Sequence, residues 1–162
     1  LAVVNLMGHY GMPQVDNVFI SAKNLIQELH SKHIYNIFID FHAETTSEKG
    51  AMKAMLKGKI SAIIGTHTHI GTDDITIEDG TLSISDIGLS GCRDGVIGME
   101  SSIPIKRFLS GLPGRFDVPE KCKRIFQIAI FEIENGKCIS GKKIKIYDQP
   151  RRLIEQSAFI EF

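Results

Sequence analysis

This chain has no charge imbalance, no long apolar run and no paired-cysteine motif, and each absence removes a class of function. Lysine plus arginine and aspartate plus glutamate number 19 each, so no bulk field draws the chain to nucleic acid or anionic lipid. No apolar stretch approaches the roughly 18 residues that span a bilayer, so no membrane partner is expected. The first residues carry neither a basic n-region nor an apolar h-region, and a cytoplasmic location is the expectation. The three cysteines, Cys92, Cys122 and Cys138, are widely spaced and form no C-x-x-C pair. That disfavours a zinc knuckle or a thioredoxin-like motif, and reduced thiols are the simpler reading. Neither a phosphate-cradling P-loop nor G-x-S-x-G occurs, which leaves Ser/His nucleophilic catalysis without support.

What is present is enough for one globular domain. The chain has 162 residues, 43% hydrophobic and 23% charged, within the usual range for a folded α/β protein. It opens on Leu1-Ala-Val-Val-Asn-Leu6, a strand-like apolar run where a domain edge is usually polar. This reads as the later part of something longer. Met7–Asn17 holds the loop punctuators Gly8, Gly11 and Pro13. Asp16 or Asn17 then suits the N-cap of an amphipathic helix reaching Lys32. Strand Ile34–Ile39, helix Ser47–Lys57 and strand Ser61–Gly65 follow. This β-α-β-α-β order predicts a parallel sheet with helical crossovers.

Thr81–Ser85 and Ile75–Ile77, joined through Asp79-Gly80, read as a hairpin. Ser90–Gly98 is glycine-rich and loop-like, and Ser101–Leu109 suits a short helix. Ile125–Glu134 and Lys137–Tyr147 alternate on either side of Asn135-Gly136, a second hairpin. Lys142–Lys145 reads as a solvated strand. The whole is one α/β domain over residues 1–162, with a substantial antiparallel sheet in its later half.

The chemistry concentrates at two strand ends. Asp40-Phe-His42-Ala-Glu44 follows one apolar run, and Gly65-Thr-His67-Thr-His69 ends the next. Ligands in open α/β sheets bind beyond the carboxyl ends of strands, and neutral imidazole is the commonest metal-binding side chain. An isolated His-x-His is more often a surface loop. The matching His42 on the neighbouring strand shifts the reading to His42, His67 and His69 as metal ligands. Asp40 and Glu44 each suit ligation or the orienting of an imidazole, and Glu44 suits equally an acid at a helix entry. His9 lines the same edge or is an ordinary loop histidine. Asp86 reads as turn chemistry. Arg93, Lys106, Arg107 and Arg115 are available to phosphate but are commonly solvated.

These residues resemble a known family. Asp40-Phe-His-Ala-Glu-Thr-Thr-Ser-Glu-Lys49, Gly65-Thr-His-Thr-His69, Asp86-Ile-Gly88, Val96-Ile-Gly-Met99 and Lys106-Arg-Phe-Leu-Ser-Gly-Leu-Pro-Gly-Arg-Phe116 are similar to YmdB-like metallophosphoesterases, of the calcineurin-like phosphoesterase superfamily. The resemblance implies a four-layered α/β/β/α sandwich of the metallo-dependent phosphatase type, of which this chain is the later part. It implies hydrolysis of phosphodiesters, including 2′,3′-cyclic nucleotides, at a binuclear centre of two divalent or mixed-valence metal ions. Iron or manganese is expected there, with zinc as the alternative. His42 and His67 would bind one metal and His69 the other.

The family's metal-binding Asp after a first strand, its carboxylate and amide ligands and its Asn-His pair are absent from these residues. The catalytic acid is thus expected to lie outside this chain, and His9 stands where relatives carry Arg. A C-terminal portion of a longer homo-oligomeric enzyme, inactive alone and partnered by the missing N-terminal half, is the resulting expectation. An amidohydrolase-type metal hydrolase and a non-enzymatic regulatory module with an incomplete metal site are the competing readings.

Overall fold

The computed structural model describes residues 1–161. The first half alternates as its periodicity predicts: β1 (Ala2–Met7), α1 (Val18–Ser31), β2 (Ile37–His42), α2 (Thr46–Leu56) and β3 (Ala62–Thr66). Helix α1 starts at Asn17, whose Oδ1 accepts from the amides of Phe19 and Ile20 at 3.0 and 3.2 Å, satisfying donors a helix start leaves free. Val18, Ala22 and Ile26 recur at four-residue spacing and are buried. Helix α2 is capped by Thr45, which accepts from the Glu48 amide.

Strands β1, β2 and β3 are parallel neighbours, with Met7 opposite His42 and His42 opposite Thr66. The hairpin of β4 (Thr76–Glu78) and β5 (Thr81–Ile84) turns through Asp79 and Gly80, both at positive φ, as a two-residue hairpin loop demands. Strand β5 lies parallel to β3, and β10 (Phe159–Glu161) closes a six-stranded sheet of order β1-β2-β3-β5-β4-β10. A second sheet is antiparallel, in the order β6 (Gly91–Cys92), β7 (Arg124–Glu134), β8 (Lys137–Asp148), β9 (Arg151–Ser157). A short helix, α3 (Ser102–Ser110), intervenes.

The alternation along β2 and β3 divides two cores. Ile37, Ile39, Phe41 and Ile63 face α1 and α2, meeting Ala22, Ile26, Met52 and Leu56. Phe38, Ala62 and Ile64 face the other way, onto Leu82, Ala129, Phe131 and Cys138 between the two sheets. Helices, six-stranded sheet and four-stranded sheet thus stack in order, which is the mixed α/β layering expected of this chain.

Four local expectations change. The strand expected at Ile34–Ile39 begins at Ile37 and runs on to His42, because Ile34 still donates to the Leu29 carbonyl as the helix end unwinds through His33 at φ 57. The Ser90–Gly98 loop contributes the two residues of β6, which pair with Arg124 and Ile125. Strands β9 and β10 are additions to the expected elements. Finally, Lys142–Lys145 is not a solvated face, since Lys143 is completely buried and donates to the carbonyls of Thr72 and Asp86 at 2.9 and 3.3 Å.

Candidate metal centre

Parallel pairing brings the carboxyl ends of β1, β2, β3 and β5 to one edge, and the expected residues stand there. His42 is the last residue of β2, and its partner in register on β3 is Thr66. His67 and His69 lie on the loop just past β3, and His9 follows β1. Strand β3 passes the end of β5 so closely that a Cβ on Gly65 would overlap the Ser85 carbonyl oxygen. The glycine opening Gly65-Thr-His-Thr-His69 is therefore required by backbone proximity.

Hydrogen bonding fixes which ring nitrogens carry protons. Thr66 gives its hydroxyl hydrogen to Asp40 Oδ1 at 2.8 Å, and an ionised carboxylate only accepts. The 3.0 Å contact of Thr66 Oγ1 with His42 Nδ1 is then an N–H donated by the imidazole, which leaves the His42 Nε2 lone pair free. Asp40 is held in turn by the Asn5 side-chain amide at 2.9 Å. His67 Nε2 lies 3.0 Å from Glu44 Oε2, so the N–H sits there and, in the neutral ring, the lone pair is on Nδ1. His69 Nδ1 is 2.8 Å from the Ile97 carbonyl oxygen, which again assigns the lone pair to Nε2.

Two of these lone pairs meet. His42 Nε2 and His67 Nδ1 are 3.1 Å apart, with the rings nearly perpendicular at 89°. Neutral imidazoles so placed point electron pairs at each other, an arrangement that calls for a cation, proton or metal ion, at the pair. At metal–nitrogen distances near 2.0–2.1 Å, two ligands of one ion are separated by about 2.9 Å at a right angle and about 3.3 Å at the tetrahedral angle. The observed separation falls between. The donor set fits a first-row metal.

Other parts of the expected set are not drawn together. Among the described residues no group of three or more His, Cys, Asp or Glu side chains surrounds a point where a metal ion would sit. His9 is fixed through its backbone, whose N–H donates to Glu48 Oε1 at 2.7 Å, while its ring meets Tyr10 edge-on. With Tyr10, Asn17, Val18, Phe19 and Glu48 it lines a cleft beside α1. The basic residues offered to phosphate lie elsewhere: Arg93 covers Tyr147, Arg107 covers Phe116, and Arg115 pairs with Asp117.

Sequence reasoning missed a layer beneath the histidines. The first turn of α2 buries Glu48 and Lys49. Glu48 Oε2 has no hydrogen-bond partner among the described residues, and it lies where a Cβ on Gly8 would collide with it. Lys49 forms a buried 2.9 Å ion pair with Asp86. Burial pushes the Asp86 carboxyl up, but the Lys49 ammonium and the amides of Thr68 and Gly88 outweigh it and hold the group below its ordinary range. The available signal was helical spacing: Glu48 and Lys49 stand three or four residues before the buried Met52, on the same stripe.

Known proteins share this arrangement of elements. A sequence model of the YmdB-like protein family matches residues 1–144. A 2′,3′-cyclic-nucleotide 2′-phosphodiesterase of Bacillus subtilis (strain 168) is 41% identical over 150 residues, covering 91% of this chain and 56% of that protein. A crystal structure of a hypothetical protein from Thermus thermophilus superposes with a TM-score of 0.82 at 32% identity, covering 90% of this chain and 56% of the other. Another, of a novel phosphatase from Mycoplasma pneumoniae, gives 0.70 at 28% identity, covering 96% and 51%. The chain thus spans little more than half the length of these relatives. With the match continuous from β1 into β8 and through both histidine-bearing strand ends, the chain belongs to the YmdB-like protein family.

Proposed function

We propose that these residues form the histidine-bearing part of a metal-dependent phosphodiesterase acting on 2′,3′-cyclic nucleotides at a binuclear centre. The observation that carries the reading is the 3.1 Å approach of His42 Nε2 to His67 Nδ1, each ring anchored through its opposite nitrogen. His42 and His67 hold one metal ion, and His69 contributes Nε2 to the other. The family resemblance favours iron or manganese, and imidazole nitrogens suit iron and zinc alike. Such ions, when bound, polarise a phosphoryl oxygen and lower the pKa of water to near neutrality.

The chain's own residues orient the ligands. Asp40, through Thr66, keeps the His42 proton on Nδ1, and Glu44 keeps the His67 proton on Nε2. The Ile97 carbonyl holds the His69 proton on Nδ1. His9 faces the substrate edge. The name of the Bacillus subtilis relative supports the substrate class. The three free cysteines suit a reducing, cytoplasmic setting. No helix among the described residues is long and apolar enough to cross a membrane.

Because this chain covers 56% of that relative, the sample that tests the reading is the intact protein, with the N-terminal portion supplying the remaining ligands and the acid. Elemental analysis and hydrolysis of a 2′,3′-cyclic nucleotide would be measured for the wild type and for His42→Ala, His67→Ala and His69→Ala. Each variant should lose about 100-fold or more in kcat/KM and bind less metal. Full metal content and unchanged hydrolysis in the His42→Ala/His67→Ala double variant would overturn the reading.

A further inference from the structure

Asp86 lies behind the two-histidine loop, and the family match says nothing of its role. The residue is 2% exposed, yet every bond its side chain makes is directed. Oδ2 accepts from the Lys49 ammonium at 2.9 Å and from the Thr68 amide at 3.0 Å, and Oδ1 accepts from the Gly88 amide at 2.8 Å. Its own backbone is pinned too: the Asp86 carbonyl accepts from the Thr72 amide at 2.9 Å, and the Asp86 amide donates to Thr72 Oγ1 at 3.0 Å. Thr68 is the residue between His67 and His69. Those two histidines adopt φ 117 and φ 67, a backbone region that residues with a side chain seldom occupy and that persists only where the surroundings enforce it.

From this we infer that Asp86, charged and aimed by Lys49, is a positioning residue that fixes the 67–69 backbone before any metal arrives. A buried ion pair is a poor source of stability, because desolvation offsets the attraction. Two enclosed charges whose remaining bonds reach the Thr68 amide of the histidine loop and the Gly88 amide beside it fit a positioning role better than a stabilising one. The Leu89 amide donates to the His69 carbonyl at 3.2 Å and the Ile87 amide to the Gly65 carbonyl at 2.9 Å. Residues 86–89 thus hold the histidine loop at three successive points, and the carboxylate grips its centre. Without it, the turn at His67 and His69 is free to relax toward ordinary φ, and Nδ1 of His67 and Nε2 of His69 lose their aim.

The inference rests on the reading of these histidines as ligands, and two measurements on the intact protein separate the two. The first is amide hydrogen exchange in the metal-free wild type. The Thr68 amide should exchange at least about 100-fold more slowly than an unstructured amide, since the loop is set in advance. Exchange at the unstructured rate overturns the inference, whatever happens to any variant. The second is calorimetric titration with Mn²⁺ of the wild type, Asp86→Asn, and Asp86→Asn/Lys49→Met, the last leaving no unpaired buried ion. Both variants should fold and bind Mn²⁺ about 10- to 100-fold more weakly, the range for loss of an orienting partner behind a ligand.

A variant that melts earlier but binds Mn²⁺ as tightly as the wild type would show a purely structural role and overturn the inference, leaving the phosphodiesterase reading intact. A wild type that binds no Mn²⁺, iron or zinc would instead sink the phosphodiesterase reading itself.

Discussion

The two sheets of this protein are built on opposite terms. In the six-stranded sheet, β2 and β3 are covered on both faces, and their polar residues are confined to the carboxyl ends, where nearly every group is bonded to a named partner. The four-stranded sheet has one covered face, while its other face leaves Phe126, Ile130, Ile146 and Leu153 exposed. Parallel strands enclosed by two layers hold their ends still, which is the condition for aiming imidazoles to within a few tenths of an ångström. An antiparallel sheet with a free face supplies the floor between the layers, and His42, His67 and His69 lie outside its strands. The half-buried histidines stand at the ends of the enclosed strands, and not on the exposed face of the second sheet.

The contrast is broken most easily at two phenylalanines. Phe41 on β2 is 0% exposed, whereas Phe126 on β7 is 51% exposed. Phe41→Ala should cost about 3–5 kcal/mol, the transfer loss plus an unfilled cavity between β2 and the helices. Phe126→Ala should cost about 1 kcal/mol or less, as surface truncations do. Urea unfolding of the two variants beside the wild type measures both. Equal losses would show that the outer face of the second sheet is as firmly packed as the first.

A smaller effect sharpens the comparison through buried lysines, one on each side of Asp86. Lys49 meets a carboxylate, but the hydrogen bonds of Lys143 on β8 reach only carbonyls. Burial pushes the Lys143 amine down to about 8, and the nearby Lys145 charge adds to this against the opposing pull of Asp86, Asp74 and Asp73. In the unfolded chain a lysine keeps its proton to about pH 10.4. Between those two values the unfolded state binds more protons than the folded one, so this group makes stability rise with pH. The slope is at most about 1.4 kcal/mol per pH unit. Lys143→Met removes it. The wild type should therefore gain stability relative to the variant from about pH 8 to about pH 10, and a constant difference across that range would contradict the assignment.

How much of this was legible in the sequence follows the same division. The helical spacing of Val18, Ile20, Leu25, Ile26 and Leu29 and the apolar run Ile34–Ile39 pointed to the crossover units, and with them to the shared edge of His42, His67 and His69. The Asp79-Gly80 and Asn135-Gly136 turns showed both hairpins. Lys143 misled because an alternating strand with lysines usually turns them to water, and only the second sheet's docking reverses the face. Strand β10 was hidden because its partner is the distant β4, whereas β9 pairs with the β8 that directly precedes it and was hidden by its own pattern. The Arg151–Ser157 stretch itself has no clean alternation. Thr66 reaches His42 across 24 positions of sequence and Asp40 across 26, and Lys49 reaches Asp86 across 37. Spacing rules do not extend that far.

The smallest predicted effect lies within one helix of the first region. Helix α2 turns Glu48, Lys49, Met52 and Leu56 inward, while Gly50 is exposed in its second turn, with nothing within 4 Å of a built Cβ. A glycine there gives the unfolded chain freedom that the helix must remove and offers no contact in return. Gly50→Ala should therefore stabilise the protein by about 0.4–1 kcal/mol, read as a rise in urea midpoint at constant slope. The Mn²⁺ affinity should stay as it was, because the substitution faces away from the Lys49–Asp86 pair. A change in metal affinity at this position would mean that the two faces of α2 are coupled, and that the histidine loop responds to the helix as a whole rather than to its buried first turn.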